Sequence, residues 1–370
     1  MTPAEPTRTA PAHTEPTRTE QVTAGHVERL WAAVCDRDEH TAAEVVTGAA
    51  ADGLAPESVL LDVIAAVQRR VGQEWADNRI TVAQEHAATA INERALAALA
   101  LTAPTPAPTL GTITVACVDG EWHALPARLL AEVLRLRGFR VDYLGAQVPA
   151  PHLITHLHRT GPDAVALSSS IATRLPSAHA TITACQAAGT PVIAGGAAFG
   201  PDGRYARLLG ADAWAPDARA AADRLARSPL NRPAGGHQPI DDLPHLADQE
   251  YTMVSRTSGQ LVKAMLSGLE ETIPAMRSYT EAQREYTAQD LAHIVDYLGT
   301  ALYVDDADLF TGFLTWTAGI LTARSVPARF LVPALDLLAA ELRDFPRSTA
   351  LLTAGRSALP ARDVPGDHDR

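Results

Sequence analysis

The sequence is poor in features that mark several protein classes. It has three cysteines in 370 residues, Cys35, Cys117 and Cys185, and none forms a Cys-x-x-Cys pair, so neither a disulfide framework nor a cysteine-rich metal site is expected. Asp and Glu (43) outnumber Lys and Arg (31), and the net charge of −12 argues against a broad nucleic-acid-binding face. No apolar run approaches the roughly 18–20 residues of a membrane span. The N-terminus does not show the basic segment and following apolar run that mark a signal peptide. A cytoplasmic protein is therefore expected.

Periodicity divides the first hundred residues into two parts. Residues 1–20 are rich in proline and threonine without apolar periodicity, and are expected to be a disordered tail. Residues 21–103 read as a helical bundle, with breaks near Asp36–Glu39, Gly53–Pro56 and Asp77–Arg79. One apolar stripe at helical spacing predicts a buried face: Val59, Leu60, Val63, Ile64, Val67 and Val71.

A helix is predicted to begin after Thr81, because Thr81 and Gln84 have the spacing of a capping box. This helix brings Glu85 and His86 into its first turn, shortly after Trp75 in the chain. The three residues form the arrangement Trp-x9-Glu-His, and we expect them to act together.

After a linker at residues 102–109, the pattern of residues 110–228 changes to short apolar runs separated by longer segments of helical periodicity. This alternation predicts a doubly wound parallel sheet of the Rossmann-like type, with its ligand site at the carboxyl ends of the strands. The predicted strands are TITVAC, RVDYLG, AVALS, PVIAGG and DAWAP. The residues expected at the ligand edge are Asp119–His123, Gly145, Ser168, Ser169, Ser170, Gly195 and Gly196.

A second linker is predicted at residues 228–239, and residues 243–358 have helical periodicity throughout. Asp306, Asp308 and Pro327 lie near predicted helix starts. The expected fold class is multi-domain α and α/β: a helical-bundle cap, a doubly wound parallel-sheet domain and a C-terminal all-α domain.

The segment Glu121-Trp122-His123 carries the strongest chemical signal. It follows the first predicted strand and opens a helix, where an exposed histidine can reach a ligand. Neutral imidazole is a metal ligand, and a carboxylate that accepts its other ring N–H orients the ring and raises its basicity. Glu121 is the candidate for that carboxylate. Together with the Trp75 segment, the pattern suggests a large flat metal cofactor between the helical cap and the α/β domain.

These residues resemble the cobalamin-binding domain shared by methionine synthase, corrinoid proteins and mutases. The family pattern is Asp-x-His-x-x-Gly, then Ser-x-Leu, then Gly-Gly, and Glu121–Pro126, Ser168–Ser170 and Gly195–Gly196 correspond to its three parts. The chain has glutamate for aspartate, proline for glycine and serine for leucine, and Glu-x-His occurs in the light-sensing branch of the family. The resemblance implies that His123 is the lower axial ligand of cobalt.

Trp75, Glu85 and His86 resemble the light-sensing variant of the helical cap. In that variant these three residues surround the 5′-deoxyadenosyl group on the upper face of adenosylcobalamin, with the indole as an apolar wall and the other two as hydrogen-bonding groups. In the DNA-binding cobalamin photoreceptors, the residue after this tryptophan is a histidine that can bind cobalt after photolysis. Here it is Ala76, so that ligand is missing, and His86 or another histidine would have to replace it.

The C-terminal segment is similar to the helical domain of photocobilins, photoreceptors that pair cobalamin with biliverdin. A linear tetrapyrrole needs an apolar slot, cationic or hydroxyl partners for two propionates, and acceptors for its pyrrole N–H groups. His293, Tyr297 and Arg324 are the candidate bilin contacts. No cysteine follows Cys185, so a thioether attachment within this domain is excluded. Residues that could converge with them are Tyr251, Arg277, Tyr279 and Trp316.

The leading hypothesis is a photosensory binding protein without enzyme activity, in which light changes conformation and the state of a homo-oligomer that signals to a separate, unidentified output partner. A corrinoid methyl carrier is the first alternative, although the bulk of Trp75 would crowd the approaching methyl donor. A mutase subunit would need a substrate barrel of about 250 residues, for which the remaining helical segment is too short. A light-independent cobalamin-binding regulator remains open, as does a plain helical dimerisation or signalling role for residues 243–358.

Overall fold

The computed structural model describes residues 17–104, 106–232 and 243–359. Helices occupy the first part, a five-stranded parallel sheet with intervening helices follows, and the described C-terminal part is helical. This order confirms the predicted fold class. Within the described ranges, no helix is both long and apolar enough to cross a membrane.

The described residues form two compact units, of which the first contains residues 17–71 and 86–103. The apolar stripe predicted for this segment is buried, and each of its six residues is at most 1% exposed. The chain breaks fall where they were predicted, between successive helices. The helices are α1 (Arg18–Asp36), α2 (Glu39–Ala51), α3 (Pro56–Ser58), a π-helical turn (Val59–Ile64), α4 (Ala65–Ala76) and α5 (Val82–Thr102), the last two shared with the second unit.

Helix α1 begins at Arg18, so the predicted disordered tail, residues 1–20, is wrong at its end. The reason is a capping box: the Thr17 hydroxyl accepts from the Glu20 N–H, and the Glu20 carboxylate accepts from the Thr17 N–H. Its Thr-x-x-Glu signature lies inside the Pro/Thr-rich run. The rest of the predicted tail, residues 1–16, and most of the predicted second linker lie outside the described residues.

The second unit contains the sheet, whose strands are all parallel in the order β2-β1-β3-β4-β5. Central strands are apolar on both faces because helices cover both sides of the sheet. The switch in strand order lies between β1 and β3, where Cys117 pairs with Ser168 at the carboxyl edge. The strands are β1 (Thr112–Cys117), β2 (Arg140–Gly145), β3 (Ala164–Ser168), β4 (Val192–Gly195) and β5 (Ala213–Ala215). The helices are α6 (Ala124–Leu136), α7 (Ala150–Thr160), α8 (Leu175–Ala187), α9 (Arg204–Leu208) and α10 (Ala218–Arg227).

The C-terminal part of the second unit is a group of five longer helices. Asp306 caps one of them, accepting from the Asp308 N–H, as expected for a residue at a helix start. The buried Glu250 carboxylate accepts from the N–H groups of Arg347 and Ser348, which fixes the start of the last helix. The helices are α11 (Glu250–Thr272), α12 (Glu281–Val304), α13 (Ala307–Ala323), α14 (Leu331–Glu341) and α15 (Pro346–Ala358).

The α/β part and the C-terminal helices share one continuous hydrophobic core. Two polar contacts also join them: the buried His179 Nδ1 lies 2.9 Å from the Tyr303 hydroxyl, and the Tyr205 hydroxyl donates to Asp306 Oδ2 at 2.9 Å. A chain cut after α10 would therefore expose apolar side chains that the C-terminal helices cover.

Candidate functional site

The loop after β1 is organised around one buried carboxylate, Glu121. Its Oε1 accepts hydrogen bonds from the His123 backbone N–H (2.9 Å) and from the His123 ring Nδ1 (2.6 Å). Its Oε2 accepts from the Ser169 hydroxyl (3.1 Å) and from the backbone N–H groups of Ser170 (2.6 Å) and Ile171 (3.0 Å). One side chain thus joins the loop that follows β1 to the loop that follows β3.

The charge state of Glu121 determines which ring nitrogen of His123 holds a proton. Burial raises the pKa of the Glu121 carboxyl, but the hydrogen bonds from His123, Ser170 and Ile171 outweigh it and bring the pKa to about 2. An ionised carboxylate only accepts, so Nδ1 must be the donor. In the neutral imidazole, the Nε2 lone pair is then available to a metal.

His123 occupies the N-cap position of α6, and its side chain is 35% exposed while Glu121 is fully buried. The Trp122 indole stacks on the imidazole with ring centroids 3.8 Å apart and planes 26° from parallel. The ring is therefore held by a carboxylate at one edge and an indole on one face. This arrangement suits a histidine that binds a metal, because it fixes the orientation of the ring before the metal arrives.

The small residues at the other strand ends have different environments. Gly145, at the end of β2, has φ +85°, and a Cβ there would meet nothing within 4 Å. A Cβ on Gly196, after β4, would lie 2.2 Å from the Ser169 carbonyl oxygen. Both glycines were expected at the ligand edge of the sheet, and Gly196 belongs to the Gly-Gly element of the family pattern. Close packing against Ser169 already requires glycine at 196, whereas the space beside Gly145 is open. Ser168 and Ser169 are buried and Gly195 is half-buried.

Arg174 is a residue of this edge that sequence analysis missed. It ends a 3-10 turn (Ala172–Arg174) directly after the loop that binds Glu121. Its guanidinium lies against the β1 loop, since a Cβ on Gly120 would be 3.0 Å from Arg174 Nη1. No motif indicates this contact, because it depends on the spacing of β1 and β3.

The Trp75 turn, Gly72–Glu85, belongs to the second unit. Trp75 is half-buried in the last turn of α4, and its ring centroid lies 6.1 Å from that of Trp316 on α13. The Arg324 guanidinium carbon lies 5.2 Å from the Trp75 ring centroid, a cation–π geometry. The sequence predicted Trp75 as a cofactor wall, but gave no sign that α13 would contact it.

Glu85 and His86 begin α5 after the predicted capping box. The Gln84 backbone N–H donates to the Thr81 hydroxyl at 3.2 Å and the Thr81 N–H donates to Gln84 Oε1 at 2.8 Å, which confirms the predicted helix start. Glu85 is half-buried and His86 is exposed.

The three candidate bilin residues lie on two helices, His293 and Tyr297 on α12 and Arg324 at the C-cap of α13. His293 and Tyr297 are one turn apart on α12, and the Tyr297 ring stacks on Phe313 with centroids 3.8 Å apart and planes 7° from parallel. Burial raises the pKa of Asp290, and the charges of His293 and Arg324 partly offset this, so these three groups are neighbours. Burial also raises the pKa of Tyr297, and the charge of Glu121 raises it further.

Two other aromatic candidates from the C-terminal domain lie elsewhere. Tyr251 packs edge-on against Tyr303, with ring centroids 4.8 Å apart, on a face of α12 different from that of Tyr297. Trp316 contacts Trp75. Phe313, which sequence analysis missed, is the residue that stacks on Tyr297, and its position on α13 gave no signal beyond an apolar residue at helical spacing.

The donor set at the strand edge fits a corrin-bound cobalt. His123 presents a ring nitrogen whose opposite N–H is fixed by an ionised carboxylate, as axial metal ligation requires. The open space beside Gly145 leaves the end of β2 accessible to a ligand. Within the described residues, no cluster of three or more His, Cys, Asp or Glu side chains offers an alternative metal site.

Comparison with known families defines the class of these domains. Residues 111–226 match a family model described as a B12 binding domain, and residues 27–100 match a second model with the same description. The parallel sheet and the site at its carboxyl edge agree with the similarity of these two ranges to B12 binding domains. The cofactor that its domains indicate is a cobalamin or a related corrinoid.

Individual relatives include a regulator and several carriers. The HTH-type transcriptional repressor CarH of Myxococcus xanthus is 33% identical over 176 residues, which is 46% of this chain and 57% of the repressor. Trimethylamine corrinoid protein 1 of Methanosarcina mazei is 26% identical over 149 residues, 39% of this chain and 68% of that protein. Among solved structures, the monomethylamine corrinoid protein of Methanosarcina barkeri has a TM-score of 0.48 and 18% identity, covering 55% of this chain and 99% of that protein. The chain thus spans little more than half the length of the repressor.

Proposed function

We propose that this protein is a light sensor that binds adenosylcobalamin through His123 and biliverdin through its C-terminal helices. It would act as a binding protein and not as an enzyme, with light changing its conformation and its oligomeric state. The observation that carries the cobalamin part is the His123–Glu121 pair at the switch point of a B12 binding domain.

The roles of the residues on the lower side follow from their protonation. The Glu121 carboxylate accepts from His123 Nδ1, so in the neutral imidazole the lone pair that can bind cobalt is on Nε2. The bonds from Ser169, Ser170 and Ile171 keep the carboxylate ionised and in place. The imidazole thus needs little reorganisation on binding.

On the upper side, Trp75, Glu85 and His86 are proposed to surround the adenosyl group, as in the light-sensing variant that the Trp-x9-Glu-His arrangement resembles. The indole supplies an apolar wall, and Glu85 and His86 supply hydrogen-bonding groups for the ribose and the adenine. Bound adenosylcobalamin would supply light absorption and a cobalt–carbon bond that light can break. The Trp75 side chain would pack against the adenosyl group when it is bound and could repack in its absence, which would alter the turn Gly72–Glu85.

The first experiment compares the wild-type protein with His123→Ala, using absorption spectra of the protein loaded with adenosylcobalamin before and after illumination. We expect the wild-type protein to show histidine ligation and a light-dependent spectral change, and His123→Ala to lose the ligation. His158→Ala, which removes an exposed histidine on α7, is the matched control. Unchanged cobalamin retention and spectrum in His123→Ala would refute the assignment of the ligand. Identical spectra before and after light would refute light sensing.

The biliverdin part of the proposal rests on the neighbourhood of His293, Tyr297 and Arg324. The stacked Tyr297–Phe313 pair offers an aromatic wall, and Arg324 offers a cation for a propionate. Asp290, one turn before His293 on α12, offers an acceptor for a pyrrole N–H. All four polar side chains come from α12 or follow α13.

Point variants of the full chain test this part, because removal of the C-terminal helices would open the shared core. The wild-type protein should gain a red absorption band with biliverdin, and Tyr297→Ala should weaken it. Tyr286→Ala is the control, since Tyr286 is 66% exposed on the same helix. The bilin should be released by denaturation and leave no zinc-fluorescent band on a denaturing gel. If the wild-type chain gains no red band, the C-terminal domain is an association module.

The corrinoid-protein relatives favour a second candidate, a methyl carrier that serves a methyltransferase partner. A carrier must let a methyl donor reach the upper face of the corrin, and the bulk of Trp75 would crowd that approach. The candidates separate on one measurement: a carrier should bind methylcobalamin at least as tightly as adenosylcobalamin, whereas the proposed sensor prefers the adenosyl form. A change in molar mass on illumination, measured by light scattering, would support the sensor and its light-dependent homo-oligomer.

A further inference from the structure

The turn that carries Trp75 is closed by its own ion pairs. Arg79 donates to the carboxylate of Glu74 and lies 2.7 Å from Asp77 Oδ2. Asn78, between them, has φ +58°, in the left-handed region that asparagine tolerates well. The turn is therefore a compact element, so contacts from another helix to any part of it restrain the whole turn.

Helix α13 supplies that external support through three contacts. The Trp316 ring lies 6.1 Å from Trp75 at an interplanar angle of 34°. Arg324, the C-cap of α13, places its guanidinium over the Trp75 ring at 5.2 Å. The Asn78 amide donates to the Ala323 carbonyl at 3.4 Å. An aromatic contact, a cation–π contact and a hydrogen bond thus hold the Trp75 turn against the end of one helix.

One of the supporting side chains, Arg324, is itself held in place. Arg324 Nη1 donates to the Ile320 carbonyl at 3.2 Å, which ties the guanidinium to the last turn of its own helix. Trp316 is 52% exposed, so its indole is not explained as part of the core. The neighbour of this exposed indole is the ring of Trp75.

Resting on the proposed role of Trp75 at the adenosyl group, we infer that Trp316 and Arg324 are positioning residues for Trp75, so that the C-terminal helical domain sets the selectivity for the upper axial group. Neither residue needs to touch the cofactor. Without Trp316 and Arg324, the Trp75 indole would lose the support from α13 and sample other rotamers. Apolar contact with the adenosyl group would weaken, while ligation by His123 would stay the same.

The test measures the ratio of dissociation constants for hydroxocobalamin and adenosylcobalamin in the dark. This ratio is informative because general damage to the fold would weaken the binding of both cobalamin forms alike and leave the ratio unchanged. We expect Trp316→Ala to lower the ratio about two- to tenfold, the range of one aromatic pair. Trp316→Phe should restore most of it, and Arg324→Lys should retain more of it than Arg324→Gln.

A double-mutant cycle completes the test. If Trp316 acts only through Trp75, adding Trp316→Ala to Trp75→Ala should change the ratio no further. Phe330→Ala is the control, since Phe330 is a 45% exposed aromatic residue of the same helical domain. A Trp316→Ala ratio equal to wild type, with a reduced ratio in Trp75→Ala, would overturn the positioning role and leave the proposed function intact. An unchanged ratio in Trp75→Ala would refute the proposed role of Trp75, and the positioning role with it.

Discussion

The loop at the end of β1 and the Trp75 turn both present side chains proposed to meet the same cofactor, but they are held in opposite ways. The β1 loop is fixed by Glu121, whose partners lie on the loop itself and on the loop after the neighbouring strand β3. The Trp75 turn is fixed by Trp316 and Arg324, which are more than 200 positions away in the sequence.

The β1 loop and the Trp75 turn differ in how firmly their contacts hold them. Five hydrogen bonds to one buried carboxylate make the β1 loop rigid. The Trp75 turn is held by surface contacts with an exposed indole, each of them individually weak. In the proposed site, the rigid β1 loop would keep His123 in place while the contacts of the Trp75 turn change.

The largest effect is expected for Gly196→Ala, which would break the packing between the β3 and β4 loops. The new Cβ would lie 2.2 Å from the Ser169 carbonyl oxygen at a backbone φ of +101°. The free energy of unfolding should fall by about 3 kcal/mol or more, measured by denaturant titration. Gly145→Ala has a similar φ but no clash, and should cost about 1 kcal/mol. Equal losses in the two variants would contradict the packing role of Gly196.

An intermediate loss of stability is expected for Glu121→Gln. Both carboxylate oxygens of Glu121 accept from N–H groups, so in either orientation the amide NH2 of glutamine would face a hydrogen-bond donor. The cofactor-free protein should lose about 2 kcal/mol of unfolding free energy at neutral pH. Since the folded-state pKa of Glu121 is lowered from 4.5 to about 2, its stabilising effect is complete above pH 4.5 and disappears as the pH falls towards 2. The stability difference between wild type and variant should therefore shrink below pH 4.5. A difference that stays constant with pH would contradict the ionised state of Glu121.

The smallest effect is expected for Asn78→Ala in the Trp75 turn. The change removes one long hydrogen bond to Ala323 and places alanine at φ +58°, which together should cost less than about 1.5 kcal/mol. Asn78→Gly, which accepts this φ, isolates the contribution of the amide. If Asn78→Ala destabilised the protein more than Glu121→Gln in the same denaturant titration, the contrast between a rigid and an adjustable side would be wrong.

Much of the fold could be predicted because its signals are local. Short apolar runs mark all five strands, and Thr81 with Gln84 marks the start of α5. The start of α1 was missed because Thr17 and Glu20 lie within a Pro/Thr-rich run that suggested disorder. At the site, Glu121 and His123 could be found from their order after a strand. Arg174 and Phe313 could not, because no motif surrounds them.

What the sequence determined by itself is the identity and order of the groups at the strand edge that are proposed to meet a ligand. A strand, a Glu-x-His segment and a helix follow each other without interruption, and the rules of parallel sheets bring their ends to one edge. Only the tertiary structure decided that the Ser169 backbone would pack closely against Gly196 and that the Trp316 ring would lie beside Trp75. Such contacts join residues far apart in the chain, and they exist only because packing a shared core brings those segments together.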